Sequence, residues 1–179
     1  MNDVLDDQQV IPAGRVLLRP LRSSDAGLIS FYTADRRLAE GTRAIPHPLP
    51  PGTSEAYVKR AMSEGRAEDV WAIDGSDNDL SELLGVVSLT RTDDPEQSEL
   101  GFWVGQGFWN AGFATEAVEA LVRANPHGSR TLFAEAFQDN PGSARVLTNC
   151  GFDYLGDAES WSVARNARVP TWTYLRRMA

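Results

Sequence analysis

The sequence predicts a mixed α/β fold in one domain, and three observations carry this prediction. The chain has 179 residues, a length that suits a single domain over residues 1–179. Strand-like and helical hydrophobic patterns follow one another in the order β-α-α-β-β-β-α-β-α-β-β. Consecutive strands in the middle indicate antiparallel pairing, whereas the strand–helix–strand unit over residues 98–137 indicates a parallel pair.

Each element has its own local signal in the sequence. Apolar pairs at a helical period predict a helix from Phe113 to Ala124, and Asn140 followed by proline predicts the start of another. Earlier helices are predicted to begin at Ser23 or Ser24 and at Thr53, separated by an extended loop with four prolines. Strands are predicted at residues 15–19, 70–74, 83–90, 98–104, 131–137, 152–155, 160–164 and 170–177. Residues 1–13 are expected to form a flexible N-terminal segment.

The composition argues against several classes of protein. Lysine and arginine total 17 against 25 aspartates and glutamates, a formal net charge of −8, whereas nucleic-acid binders usually carry a basic face. The sole cysteine, Cys150, forbids an internal disulfide and a cysteine-built metal site. The acidic start and the lack of a long apolar run argue against a signal peptide or membrane span. We therefore expect a cytoplasmic protein that binds neither nucleic acid nor membrane.

A glycine-bearing loop between a strand and a helix has the features of an anion-binding site. The first turn of a helix leaves backbone N–H groups unpaired, and the helix dipole adds partial positive charge there. The candidate donors are the amides of Ala111, Gly112, Phe113, Ala114 and Thr115. The loop comes close to the dinucleotide pattern GxGxxG with Gly105 and Gly107, but Asn110 replaces the third glycine, and no phosphate-binding P-loop is present.

Two segments of the chain resemble the signatures of GNAT N-acetyltransferases. The first is Glu99-Leu-Gly-Phe-Trp-Val104 with Phe108-Trp-Asn-Ala-Gly-Phe-Ala-Thr-Glu-Ala117, and the second is Asn140-Pro-Gly-Ser143 with Asn149-Cys-Gly-Phe152. The closest branch is the ribosomal-protein N-terminal acetyltransferase-like one, and the resemblance runs from Arg15 to the end. It implies a central, mostly antiparallel sheet with a parallel strand pair splayed at the cofactor site and helices on both faces.

The resemblance also implies a function and a cosubstrate site. It implies transfer of the acetyl group of acetyl-CoA to a primary amine, the α-amine of a protein or peptide N-terminus, in a ternary complex and without a metal. The pyrophosphate would bind the loop amides, and the pantetheine would pair with the strand around Trp103 and Val104. The residues expected to bind acetyl-CoA are Phe102, Trp103, Val104, Trp109, Asn110, Ala111, Gly112, Phe113, Ala114, Thr115, Asn140, Ser143 and Arg145. Asn110 stands where the family usually has glycine.

Two side chains are candidates for the catalytic chemistry. Glu99 is expected to remove the amine proton, directly or through water, and the alternative is a strand-edge charge paired with an arginine. Ser143 is expected to donate a proton to the leaving thiolate, and the alternative is a helix-start serine that satisfies local backbone. Arg145 is either a partner of the adenosine 3′-phosphate or a solvated arginine. Leu147 occupies the position at which many relatives have a tyrosine acid, so that acid is ruled out here.

Other readings of the sequence stay open beside this one. Cys150 is expected to be inert rather than a nucleophile, and His47 and His127 lie too far apart in sequence to argue for zinc. His47 is either exposed or in contact with substrate. The alternative functions are acetylation of a small amine such as a polyamine or an antibiotic-like amine, a silent acyl-CoA-binding module, or a nicotinamide-dependent redox protein. The chain is expected to be a monomer or homodimer, and strand residues 172–175 would lie at an interface if exposed.

Overall fold

An eight-stranded sheet forms the centre of the computed structural model, which describes residues 8–179. The strands are β1 (Ile11–Ala13), β2 (Val16–Pro20), β3 (Glu68–Asp74), β4 (Gly85–Arg91), β5 (Gln97–Val104), β6 (Thr131–Phe137), β7 (Asp153–Ser162) and β8 (Ala167–Arg177). Their spatial order is β1-β2-β3-β4-β5-β6-β8-β7, and every neighbouring pair is antiparallel except β5 and β6. The mixed, mostly antiparallel fold with one parallel pair is confirmed.

Helices cover both faces of this sheet. They are α1 (Ala26–Thr33), α2 (Arg36–Glu40), α3 (Thr53–Ala61), α4 (Phe113–Ala124) and α5 (Pro141–Asn149). Side chains of a strand alternate between the faces, so Trp71 and Ile73 of β3 join the core with α4 and α5. Val70 and Ala72 point the other way and join the core with α1 and α3. Within residues 8–179 no helix has the length and apolarity needed to cross a bilayer.

The parallel strands β5 and β6 separate soon after they begin. They pair only from Gln97 opposite Thr131 to Glu99 opposite Phe133. Beyond that point β5 continues against β4 alone and β6 continues against β8 alone. The predicted splay is therefore confirmed, and after Glu99 no strand among residues 8–179 pairs with the edge of β5 that faces away from β4.

A buried ionic network ties the first strands to the start of α1. The Arg19 guanidinium donates to both carboxylate oxygens of Asp25, at 2.9 and 3.0 Å, and to Asp74 at 2.7 Å. All three residues are buried. Because each buried charge has an opposite charge at hydrogen-bond distance, loss of one partner would leave the others buried without compensation.

Four points of the sequence-based prediction need correction. The flexible segment expected over residues 1–13 is wrong for Ile11–Ala13, which forms β1 because Ile11 and Ala13 are buried against the core, while residues 1–7 lie outside the described part of the chain. The predicted strands 152–155 and 160–164 are one strand, β7, with a bulge between Tyr154 and Gly156. The short helix α2 was not expected. An interface at residues 172–175 was expected only if this strand is exposed, and Tyr174 is buried.

Candidate active site

Two cavities meet where β5 and β6 part. We call them the amide cavity, of about 730 Å³ beside the start of α4, and the carboxylate cavity, of about 320 Å³, which contains Glu68, Glu99 and Glu135. The residues that line both are Gly41, Thr42, Phe102, Trp103 and Ser143. Molecules bound in the two cavities would therefore lie next to each other at these residues.

The amide cavity takes its character from the uncapped start of α4. Gly112 is the N-cap residue, and no side chain caps the helix. Within residues 8–179 the amides of Ala111 to Thr115 donate to no acceptor. Free amides at the positive end of a helix dipole attract a phosphate group. The amides that the sequence predicts as phosphate donors are thus free in the structure.

Asn110 takes the backbone conformation that favours glycine. Its φ of +59° lies in the left-handed region, and Gly112 follows with a φ of +85°. Asparagine is among the few residues other than glycine that visit this region readily. The replacement of the family's glycine by Asn110 therefore preserves the turn that leads the amides into the cavity.

The open edge of β5 offers backbone groups to a ligand. The Gly105 amide donates to the carbonyl oxygen of Leu84, just before β4, at 2.7 Å. The backbone N–H and C=O groups of successive residues in a strand point alternately to its two edges. The backbone of Trp103 therefore faces β4, and those of Phe102 and Val104 face the open edge. The Val104 carbonyl accepts from the Trp109 indole N–H at 2.6 Å. The pantetheine was expected to pair with the strand around Trp103 and Val104. In the structure the backbone N–H and C=O of Phe102 and the N–H of Val104 face the amide cavity, whereas Trp103 lines it with its ring.

Three arginines line the amide cavity, and one of them, Arg165, is already paired with Asp139. Arg145 lines it from α5, and Arg37 and Arg165 line it from more distant segments. The Arg37 guanidinium lies 5.6 Å from the centre of the Trp109 ring, within range of a cation–π interaction. Arg37 and Arg165 escaped sequence reasoning, because no local pattern distinguishes them from surface arginines.

The start of α5 places Ser143 at the junction of the cavities. Asn140 caps the helix as predicted, since its side-chain oxygen accepts from the Ser143 amide at 3.4 Å. Its Nδ2 donates to the Ser143 Oγ at 3.0 Å, so the serine O–H remains available as a donor. Leu147, one turn on, is fully buried in the core.

The carboxylate cavity holds an ion-pair cluster around Glu99. The Arg43 guanidinium pairs with Glu99 and lies 3.5 Å from the Glu135 carboxylate, which also accepts from the Ser160 hydroxyl at 2.5 Å. The arginine partner weighed as the alternative for Glu99 is thus present. Sequence reasoning missed Arg43 and Glu135. A lone carboxylate among the apolar residues of β6 could have drawn attention to Glu135, whereas nothing marked Arg43.

The remaining candidates, Cys150 and the two histidines, line neither cavity. Burial raises the pKa of the Cys150 thiol to about 11, with Glu119 adding to the effect, so the thiol is protonated and unreactive at neutral pH. His127 contacts Ser98 through Nδ1 at 2.8 Å and Asp69 through Nε2 at 2.7 Å, and it lines neither cavity. His47 is half-buried and also lines neither.

Comparison with known proteins identifies the class of this chain. Residues 15–153 match the family model described as an acetyltransferase (GNAT) domain. The protein is therefore an acyltransferase. It belongs to the GNAT family and is an acetyl-CoA-dependent N-acetyltransferase. No curated protein sequence matches this chain.

Solved structures share the fold at low sequence identity. A GNAT-family acetyltransferase from Bacillus anthracis has a TM-score of 0.78 at 20% identity, with 94% of this chain and 98% of that chain covered. The ribosomal L7/L12 alpha-N-protein acetyltransferase RimL, in complex with coenzyme A, has a TM-score of 0.76 at 15% identity, covering 95% and 98%. Spermidine N-acetyltransferase from Vibrio cholerae, in complex with CoA and spermine, has 0.75 at 15%, covering 92% and 96%.

Proposed function

We propose that this enzyme acetylates the α-amine of a protein or peptide N-terminus. The proposed site rests on one observation, which is that the amide cavity and the carboxylate cavity meet at Ser143. The motifs resemble the ribosomal-protein acetyltransferase branch, and RimL, which acts on a protein α-amine, shares the fold.

A small polycationic amine is the second candidate acceptor. Three carboxylates line a cavity of about 320 Å³, a volume that suits a small molecule. The spermidine N-acetyltransferase from Vibrio cholerae shares the fold as well. The fold itself does not choose between the two acceptors, because acceptor preference depends on the residues of the site.

The residues of the amide cavity fit acetyl-CoA. The free amides from Ala111 to Thr115 would hold the pyrophosphate, and Arg145 would face the adenosine 3′-phosphate. The open edge of β5 at Phe102 and Val104 would pair with the pantetheine, as an added strand would. Acetyl-CoA supplies the activated acetyl group as a thioester.

Three groups of the chain would then carry out the transfer. Glu99 removes the proton of the acceptor amine, directly or through water, and leaves the nitrogen lone pair free to attack. A backbone N–H on the open edge of β5 donates to the thioester carbonyl oxygen as negative charge develops there. The O–H of Ser143 donates to the departing thiolate, while Asn140 holds the serine oxygen in position.

Calorimetric titration with acetyl-CoA, with NADH as the control ligand, tests the cosubstrate. Binding of acetyl-CoA alone is expected. Turnover is then measured with peptides bearing free N-termini and with polyamines. Absence of acetyl-CoA binding would refute the proposed site, and turnover of polyamines without turnover of any peptide would refute the proposed acceptor.

Matched variants test the catalytic assignments. Glu99→Gln and Ser143→Ala are each expected to lower turnover roughly 10²- to 10⁴-fold while acetyl-CoA still binds. Glu96→Gln, an exposed glutamate just before β5 that lines neither cavity, is the matched control and is expected to keep full turnover. Full activity of Glu99→Gln would remove the glutamate from the mechanism.

A further inference from the structure

The three glutamates of the carboxylate cavity share one face of the sheet. Glu68 stands opposite Thr90, and Thr90 stands opposite Glu99, so two strand spacings of about 10 Å in total separate the two glutamate backbones. Glu135 lies two residues beyond Phe133, the register partner of Glu99, and therefore projects from the same face. The sheet thus gathers carboxylates from β3, β5 and β6 beside one cavity.

Among residues 8–179, Arg43 is the cation that contacts both Glu99 and Glu135. It lies in the loop between α2 and α3, and its side chain is 48% exposed. The backbone of this loop is held in place, because the Val163 amide donates to the Arg43 carbonyl at 2.9 Å. The guanidinium can therefore move into solvent without displacing the loop.

We propose that Glu99 and Glu135 form the binding subsite for the ammonium group of the acceptor and that Arg43 occupies this subsite until the acceptor displaces it. This inference rests on the proposed function, because it concerns the same site. It makes Arg43 an internal competitor of the acceptor and a residue that determines acceptor specificity.

The charges of the subsite explain why such an exchange is feasible. The Arg43 side chain is half-exposed, so water can solvate the guanidinium once it is released and the cost of release is small. The two carboxylates still require a cation between them, and a compact primary ammonium brings three donors to that position. An acceptor without positive charge could not replace the guanidinium. The subsite therefore selects amines that arrive protonated and transfer their proton to Glu99 after binding.

Arg60 provides a matched control for the charge of Arg43. It lines the same cavity but contacts neither Glu99 nor Glu135, and its guanidinium lies 5.9 Å from the centre of the Tyr57 ring. Removing either arginine changes the net charge of the cavity by the same amount. Only removal of Arg43 vacates the subsite.

The test is calorimetric titration with n-butylammonium chloride, performed on the protein with and without saturating coenzyme A. Arg43→Gln is expected to bind the amine about fivefold more tightly than the unaltered protein. Arg60→Gln is expected to stay within about twofold, as is Arg43→Lys, which retains the competing charge. Glu135→Gln is expected to weaken binding because half of the subsite loses its charge.

Each outcome of these titrations decides the proposal. Equal or weaker amine binding by Arg43→Gln would overturn it, and so would an equal gain in Arg60→Gln, which would indicate a general effect of charge. Absence of amine binding in every variant would overturn it too. Coenzyme A binding to the unaltered protein is measured separately, and its absence would count against the proposed function. Normal coenzyme A binding, together with no gain in amine affinity for Arg43→Gln, would count against this inference alone.

Discussion

Gly112 is the residue at which a single added methyl group should weaken both the fold and phosphate binding at the predicted anion site. It precedes α4 with a φ of +85°, in the left-handed region that side chains with a Cβ avoid. A Cβ built there would lie 3.2 Å from the Arg15 Nη2, which donates to the Ala111 carbonyl at 2.7 Å. Gly112→Ala therefore strains the backbone and crowds the arginine that holds the loop.

The structure sets the size of the effect. A left-handed residue other than glycine costs about 1–2 kcal/mol, and the long Arg15 side chain can yield by a few tenths of an ångström at little further cost. The free energy of unfolding is therefore expected to fall by about 1–2 kcal/mol. If the strain is relieved by rotation of the Gly112 backbone, the adjacent amides turn away from the cavity. Loss of one amide–phosphate hydrogen bond, worth about 1.5–3 kcal/mol, would weaken coenzyme A binding at least roughly tenfold.

Urea unfolding and coenzyme A titration measure these two effects. Gly107→Ala is the matched control, because Gly107 lies in the same loop, has no positive φ, and has no atom within 4 Å of an added Cβ. Its free energy of unfolding should change by less than about 0.5 kcal/mol. Equal stability and equal coenzyme A affinity of the two variants would refute the assignment of the strained turn and of its amides.

Three further outcomes are expected from buried groups. Arg19→Gln should lower the free energy of unfolding by about 3–5 kcal/mol in urea titrations, whereas Arg22→Gln, which breaks an exposed ion pair, should cost less than about 1 kcal/mol. Burial acts to raise the pKa of the Asp69 carboxyl, but the hydrogen bond from His127 and two arginine charges hold it below its usual value. The contribution of the Asp69 carboxylate to the free energy of unfolding is therefore complete above the unfolded-state pKa of about 3.9 and is lost as the pH falls through the folded-state pKa. In urea titrations below about pH 4, the difference in free energy of unfolding between the unaltered protein and Asp69→Asn should therefore become smaller. The Cys150 thiol, with its pKa raised to about 11, should react with a thiol reagent at pH 7 only after unfolding, and rapid reaction of the folded protein would contradict its burial.

Elements with strong local signals were predictable from the sequence. The apolar pairs of α4, the Asn-Pro start of α5 and the glycine-bearing loop between β5 and α4 each depend on residues close together in the chain. The free amides from Ala111 to Thr115 belong to this group, because the first turn of a helix lacks intrahelical acceptors and Gly112, the N-cap residue of α4, has no side chain that could cap it. Asn140 as the cap of α5 followed from the same local chemistry.

Elements that depend on their neighbours were not predictable in the same way. β1 has three residues, one of them proline, and it is a strand because Ile11 and Ala13 reach the core beside β2. β7 includes residues whose local sequence is typical of a turn. Gly156 and Asp157 are extended there because they pair with β8. Tertiary pairing overrode local preference at both places.

The class of fold, the helix start predicted to bind an anion and the candidate roles of Glu99 and Ser143 all follow from local patterns in the sequence. The surroundings of Glu99 follow only from how distant segments pack together. Arg43 lies 56 residues before it, and Glu135 reaches the same cavity because β6 pairs with β5 for three positions and then diverges. Backbone hydrogen bonding and side-chain periodicity act over a few residues and leave a pattern in the sequence. Contacts between distant segments depend on strand order and register, which no short segment specifies.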